Sequence, residues 1–166
     1  MFFCTLSMKN QQNSKKAQAQ YIDLPYRDPA GVRKLFAYFA DEPWALLLDS
    51  GKTIHQAAKF DLILARPKAT LSFSNSVSHT TGIDIDLTHQ PFDDLRAFYQ
   101  AGLQDYQELP AELSQLPFHG GVAGYSTYDL GRYVEQLPEI AEKDIQLPEM
   151  AYGLYEWAYI SDPAAE

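Results

Sequence analysis

The feature that most constrains the fold of this chain is the run Leu116-Pro-Phe-His-Gly-Gly-Val-Ala-Gly-Tyr-Ser-Thr-Tyr-Asp-Leu-Gly-Arg132, where four glycines stand among aromatic and β-branched residues. Gly120, Gly121 and Gly124 fall inside what otherwise reads as a strand. Glycine there costs chain entropy and marks a bulge or the close approach of another backbone. The segment is therefore expected deep in a packed sheet or against a ligand. A phosphate cradle is the alternative for Gly120 to Gly124, but no Lys-Ser/Thr follows and the continuation reads as strand, whereas phosphate loops open a helix. The packed-strand reading is preferred.

The rest of the chain can supply such a sheet. Of 166 residues 46% are hydrophobic and 13% aromatic, enough for one ordinary globular domain. A net charge of −9, with no basic cluster beyond Lys15-Lys16, argues against nucleic acid and anionic membrane as partners. The single cysteine, Cys4, excludes an internal disulfide framework and fits a cytoplasmic location. No segment approaches the roughly 18 consecutive apolar residues of a membrane span, and residues 1–7 lack the basic flank of a signal peptide. Lys9 to Gln20 is polar and without apolar periodicity, so residues 1–20 read as a disordered tail.

From there the pattern alternates between helix and strands. Asp28-Pro29 reads as an N-cap with proline at the first helical position, opening a helix to about Ala40 whose buried face is Val32, Leu35, Phe36 and Phe39. Pro43 to Asp49 is a continuous apolar run that suits a strand covered on both faces. Lys59–Ala65 and Ala69–Phe73 read as further strands joined by a turn at Arg66-Pro67-Lys68, followed by a Ser/Thr/Asn-rich turn region from Ser74 to Thr81. Ile83, Ile85 and Leu87 alternate with Asp84 and Asp86, as in a half-buried edge strand. Pro91 opens a second helix with an apolar stripe of Phe92, Leu95, Phe98, Tyr99 and Leu103 and with Asp93 and Asp94 in its first turn. After the glycine-rich strand and a proline-punctuated acidic loop, Met150–Ile160 reads as one long terminal strand. The fold class is thus α+β, made of two helix-plus-antiparallel-strands units.

Little in the pattern points to chemistry. His55, His79, His89 and His119 are scattered, with no metal-ligand spacing. Ser126 lacks a nucleophile-elbow context. Asp84 and Asp86 read as the solvated face of an edge strand, and Tyr128 to Arg132 as a structural network in which Arg132 pairs with a carboxylate such as Glu135. Trp44 and the loop from Ser50 to Phe60 could wall a small-molecule pocket, since an apolar strand there ends in a hydroxyl beside a polar loop; core packing explains Trp44 equally well.

Leu116 to Glu135, continued by Leu137 to Met150, resembles the N-terminal region of the aminodeoxychorismate synthase component I family, the large subunits of para-aminobenzoate synthesis in the folate branch. Leu24-Pro25, Pro43-Trp44-Ala45, Leu47-Leu48-Asp49-Ser50-Gly51, Lys59-Phe60-Asp61 and Tyr152 to Trp157 support the resemblance, which covers nearly everything after the tail. It implies an enzyme that converts chorismate to 4-amino-4-deoxychorismate with magnesium and with ammonia from a glutamine amidotransferase partner. It also implies a four-layer α/β/β/α fold, of which this chain would be about half. The related anthranilate synthase large subunits carry Leu-Leu-Glu-Ser at the position of Leu47 to Ser50, and there the segment binds feedback tryptophan. Carried over residue by residue, Ser50, Ala57, Ala58, Lys59 and Phe60 would line a tryptophan-type pocket here.

The family's lysine nucleophile lies in a Pro-Ile-Lys-Gly-Thr motif, and that motif and the magnesium-holding acidic residues are absent from this sequence. The expectation is therefore a family N-terminal domain over residues 21–166 without the chorismate-binding domain. Such a fragment would have no catalytic residue, metal or cofactor of its own and would be inactive alone. The alternatives are a non-catalytic module that binds tryptophan and the corresponding piece of an anthranilate synthase.

Overall fold

A computed structural model describes residues 2–7, 18–51, 59–103, 115–138 and 145–162, with the backbone alone for 2–7, 18 and 19. In chain order its elements are β1 (Phe2–Ser7), β2 (Gln18–Asp23), α1 (Pro29–Phe36), β3 (Leu46–Leu48), β4 (Asp61–Leu64), β5 (Ala69–Ser74), β6 (Val77–Thr81), α2 (Pro91–Leu103), β7 (Gly121–Ser126), a 3-10 helix (Tyr128–Tyr133), β8 (Met150–Tyr155) and β9 (Trp157–Ser161). They divide into two compact units, each with one α-helix and one sheet. The α+β class and the pairing of helix with antiparallel strands follow the sequence pattern.

The first unit holds a five-stranded sheet in the order β2-β1-β9-β4-β3, antiparallel throughout. Its helix starts where expected: Asp28 caps α1, its Oδ1 accepting the Gly31 N–H at 2.8 Å, with Pro29 in the first turn. The helix ends at Phe36, four residues early, because the Tyr38 and Phe39 N–H groups turn to the carbonyls three residues back. Register sets Leu47, Ile63 and Tyr159 side by side. Val32 of α1 is buried with Ile63 and Tyr159, and Leu35, Phe36, Phe39, Leu47 and Trp157 pack around them.

Three expectations for this unit need correction. The first 20 residues are not all tail: residues 2–7 pair with both β9 and β2, because a neighbouring strand supplies the ladder that local composition did not announce; residues 8–17 lie outside the described ones. The apolar run at 43–49 shortens to β3, an edge strand with Leu48 51% exposed, while β4, which contains Asp61, is buried along its whole length. The turn at Arg66 to Lys68 does not close a hairpin, because β4 and β5 belong to different sheets. Two residues there hold left-handed backbone, Trp44 (φ 65°) and Arg66 (φ 54°). Such strain persists only when neighbours over-determine it. The Trp44 carbonyl accepts the Tyr155 hydroxyl at 2.7 Å, and Arg66 grips Glu42 through two bonds of 2.6 and 2.7 Å.

The second unit holds a four-stranded sheet in the order β6-β5-β8-β7. Asn75 and Ser76, at φ of 51° and 65°, form the two-residue turn between β5 and β6, so the polar stretch expected as a turn region is mostly a strand. Leu71, Phe73, Phe98, Leu130, Met150 and Leu154 form the core. Ile83, Ile85 and Leu87 pack against it while Asp84 and Asp86 stay exposed, which is the expected alternation. The stretch pairs with no strand of either sheet, however. The terminal run divides at Glu156 into β8 and β9, one central to each sheet.

The glycine-rich segment forms strand β7, but β7 lies at the edge of its sheet with Gly124, Tyr125 and Ser126 exposed rather than deep inside it as expected; Gly124 answers to the close approach of the β8 backbone. A Cβ at Gly124 would stand 2.0 Å from the Ala151 carbonyl oxygen and 2.7 Å from the Tyr152 Cα, both backbone atoms that cannot move aside cheaply. Gly124→Ala is expected to destabilise the protein by about 2–3 kcal/mol through overpacking, read as a lowered urea midpoint.

The start of α2 is anchored by a buried carboxylate. Asp94, fully buried, accepts the Ser78 hydroxyl at 2.5 Å and the Thr88 N–H and hydroxyl at 2.7 and 2.8 Å. Burial pushes its pKa up, but these donors outweigh that effect and hold it below the ordinary 3.8. Its stabilisation is therefore fully present above the unfolded value and is lost as pH falls through the lower native one. Asp94→Asn should remove about 1–3 kcal/mol at neutral pH. It should also flatten the acid limb of a stability-versus-pH curve below about pH 4.

Candidate functional site

Ser50 and Phe60, ten residues apart, meet where the chain leaves β3 and enters β4. The Ser50 hydroxyl donates to the Phe60 carbonyl, and the Ser50 N–H donates to Asp61 Oδ1 at 2.8 Å. Lys59 is exposed, and its Nζ lies 5.7 Å from the centroid of the half-buried Phe60 ring, within range of a cation–π contact. Three of the five residues that the resemblance singles out are thus brought together. Ala57 and Ala58 lie outside the described residues.

The local sequence explains this corner. Asp49 folds back to accept the Gly51 N–H at 2.7 Å, an Asx turn that needs a short side chain, and Gly51 takes φ 69°. Aspartate reaches that N–H two residues on without the extra methylene of a glutamate. The Asp49 carboxylate also accepts Arg33 Nη1 from α1 at 3.0 Å. The Gly51 N–H foremost, then Arg33, lower its pKa against a smaller opposing effect of burial. Both partners are partly exposed, so the ion pair orients the corner more than it stabilises it.

Asp61 is the residue that sequence reading passed over. Only 3% exposed, it stands at the head of the buried strand β4 and holds the Ser50 backbone. Its signal was present: a carboxylate opening an apolar strand as buried as Asp-Leu-Ile-Leu requires a hydrogen-bond donor close by. Across the sheet, the Tyr159 hydroxyl is buried without a hydrogen-bond partner among the described residues. Burial pushes its pKa up to about 12, with Arg27 opposing and Asp61 and Tyr26 adding to the rise.

The other candidates prove structural. Ser126 shares a 3.2 Å hydroxyl contact with Tyr152. Arg132 pairs with Asp129 rather than Glu135 and donates to the Leu137 and Pro138 carbonyls, on the surface and not buried. His89 Nδ1 accepts the Ser78 N–H at 3.1 Å. Among the described residues no three His, Cys, Asp or Glu side chains gather as metal ligands. No helix among them is long and apolar enough to cross a membrane.

With this corner described, comparison with known proteins identifies the class to which the chain is related: the component 1 proteins of the aminodeoxychorismate and anthranilate synthases. Within that class it stands nearer to aminodeoxychorismate synthase component 1. It is 41% identical over 141 residues to that protein of Salmonella typhimurium, a match covering 85% of this chain and 30% of the Salmonella protein. It is 32% identical over 113 residues to anthranilate synthase component 1 of Thermus thermophilus, covering 66% of this chain and 22% of that one. A crystal structure of anthranilate synthase component I from Streptococcus pneumoniae aligns with a TM-score of 0.49 and 27% identity over 70% of this chain and 25% of its own. No family model matches. The chain therefore spans about a third or less of the length of these relatives.

An orphaned buried hydroxyl is a liability that phenylalanine lacks. Tyr159→Phe is expected to leave stability unchanged or raise it by about 1 kcal/mol, measured as the thermal midpoint; a clear loss would show that the hydroxyl has a partner after all.

Proposed function

We propose that this chain is the scaffold-bearing N-terminal part of an aminodeoxychorismate synthase component 1. That subunit would aminate chorismate to 4-amino-4-deoxychorismate, with magnesium and with ammonia passed on by a glutamine amidotransferase subunit. The observation that carries the reading is the 41% identity extending over 85% of this chain, against 32% over 66% for the anthranilate synthase relative. The corner of Ser50, Lys59 and Phe60 is proposed to bind tryptophan. What supports this is the hydroxyl-to-carbonyl bond that joins Ser50 to Phe60 and the cation held near the Phe60 ring.

The proposal divides the labour within the longer enzyme. No lysine of this chain stands in a Pro-Ile-Lys-Gly-Thr context, and the described residues offer no group of metal ligands. Chorismate chemistry would then belong to residues outside this sequence, and the part described would hold the sheets and the tryptophan pocket.

A chimera tests both halves of this division. The 141 matched residues of the Salmonella protein, exchanged for the corresponding residues of this chain, should leave an enzyme that forms 4-amino-4-deoxychorismate from chorismate, ammonia and magnesium within about tenfold of the parent rate, roughly 1.4 kcal/mol in the barrier. The 166-residue chain alone should form none. A folded chimera without activity, or turnover by the chain alone, would overturn the assignment.

A further inference from the structure

We propose that the cavity along α1 between Arg27 and Tyr38 binds a small organic anion, a molecule that joins an apolar ring to a carboxylate or phosphate group. The cavity measures about 510 Å³ and is lined by Arg27, Lys34, Leu35, Ala37 and Tyr38, all within the first unit. That volume falls among those of pockets that take small molecules. The charges decide the kind of ligand. The other described Lys and Arg side chains of this unit are committed: Arg33 to Asp49, Arg66 to Glu42, and Lys59 to the face of Phe60. Among the described residues Arg27 and Lys34 have no ion-pair partner, and both line this one cavity. Asp28, next to Arg27 in the chain, is turned to the helix start, where its Oδ1 accepts the Gly31 N–H.

The local sequence builds this face. Arg27, Gly31, Lys34 and Tyr38 follow at intervals of four, three and four, the spacing that stacks side chains on one side of a helix. Gly31 does not hold the left-handed backbone that would call for glycine. What it supplies is room: a Cβ there would stand 3.1 Å from the Arg27 Cβ. Glycine inside a helix is unfavourable relative to alanine, and here the missing methyl lets the Arg27 stem lie against α1. The Ser161 hydroxyl donates to the Arg27 carbonyl at 3.2 Å, which ties the backbone of that residue to β9. Tyr38, 82% exposed, and Leu35 give the cavity an apolar wall for a ring. The chain carries a net −9, but distant carboxylates are screened beyond about 8 Å at physiological ionic strength, so the two nearby cations govern what an entering group meets. A guanidinium and an ammonium only donate, and the group that satisfies both is an anion.

Isothermal titration of the 166-residue chain with phenyl phosphate, benzoate and benzyl alcohol tests the site. At least one of the two anions should bind saturably, and benzyl alcohol, which keeps the ring and lacks the charge, at least about tenfold more weakly. Tighter binding of phenyl phosphate would assign the site to phosphate esters, and tighter binding of benzoate to carboxylates. Arg27→Met and Lys34→Met, which retain an apolar stem, should each weaken the bound anion about tenfold, the loss expected for a hydrogen bond to a charged group. Arg96→Met, in the other unit, should leave it within about twofold. Neither anion binding better than benzyl alcohol would overturn the proposal. So would Arg27 and Lys34 variants that bind the anion as the wild-type chain does, or an Arg96 variant that loses as much as they do. Should a methionine variant not fold by circular dichroism, the wild-type series decides: the anion is expected to lose affinity steadily as salt is raised, and an affinity indifferent to salt would count against two cations as its anchors.

Discussion

Neither sheet is complete without residues 150–161. β9 lies between the β2-β1 hairpin and the β4-β3 pair, and β8 lies between the β5-β6 hairpin and β7. Remove this run and each sheet falls into an isolated hairpin and a leftover strand or pair, assemblies that are marginal in water by themselves. The burial of the run reflects that position: Met150, Leu154, Tyr155, Ala158 and Ile160 are all at most 1% exposed. Packing elsewhere depends on it, since α1 rests on Tyr159 and Ile63, and the core under α2 includes Met150 and Leu154.

The Ser50 corner depends on the same arrangement at one remove. Asp61 pairs across to Ser161 of β9, so the central strand fixes the head of β4, and the head of β4 fixes the Ser50 backbone. From the other side Arg33 of α1 holds Asp49. The corner is thus braced by a helix and a strand although it stands at the end of an edge strand, a combination suited to a binding site that must keep its geometry while remaining open to solvent.

What could be read from the sequence was what local chemistry decides. Asp28-Pro29 announced α1 because a cap and a proline act within one turn, and the alternation of Ile83, Ile85 and Leu87 revealed which side chains go inward. The same alternation misled about pairing, because a period of two reports which face is buried and says nothing about whether a neighbouring strand is present. Likewise the apolar Leu46-Leu47-Leu48 looked more central than Asp61-Leu62-Ile63-Leu64. Position within a sheet comes from distant strands, and an edge strand can stay apolar on both faces. The residues proposed for the pocket came from resemblance rather than from periodicity. Asp61, which organises them, was signalled by its place at the head of an apolar strand, but the Ser50 N–H that satisfies it is brought there only by the fold. Residues 2–7 show the same limit, since one of their two partner strands, β9, is more than 150 positions away.

The late position of β8 and β9 also sets an order of events in time. At roughly 5–20 residues per second, a ribosome would make β9 on the order of 10 to 30 seconds after β1. Throughout that interval β1, β4 and β5 would each carry an open flank awaiting a strand not yet synthesised. Until residues 150–161 leave the exit tunnel, the described strands of the nascent chain would stand as hairpins and pairs with open edges, the kind of surface that chaperones shield.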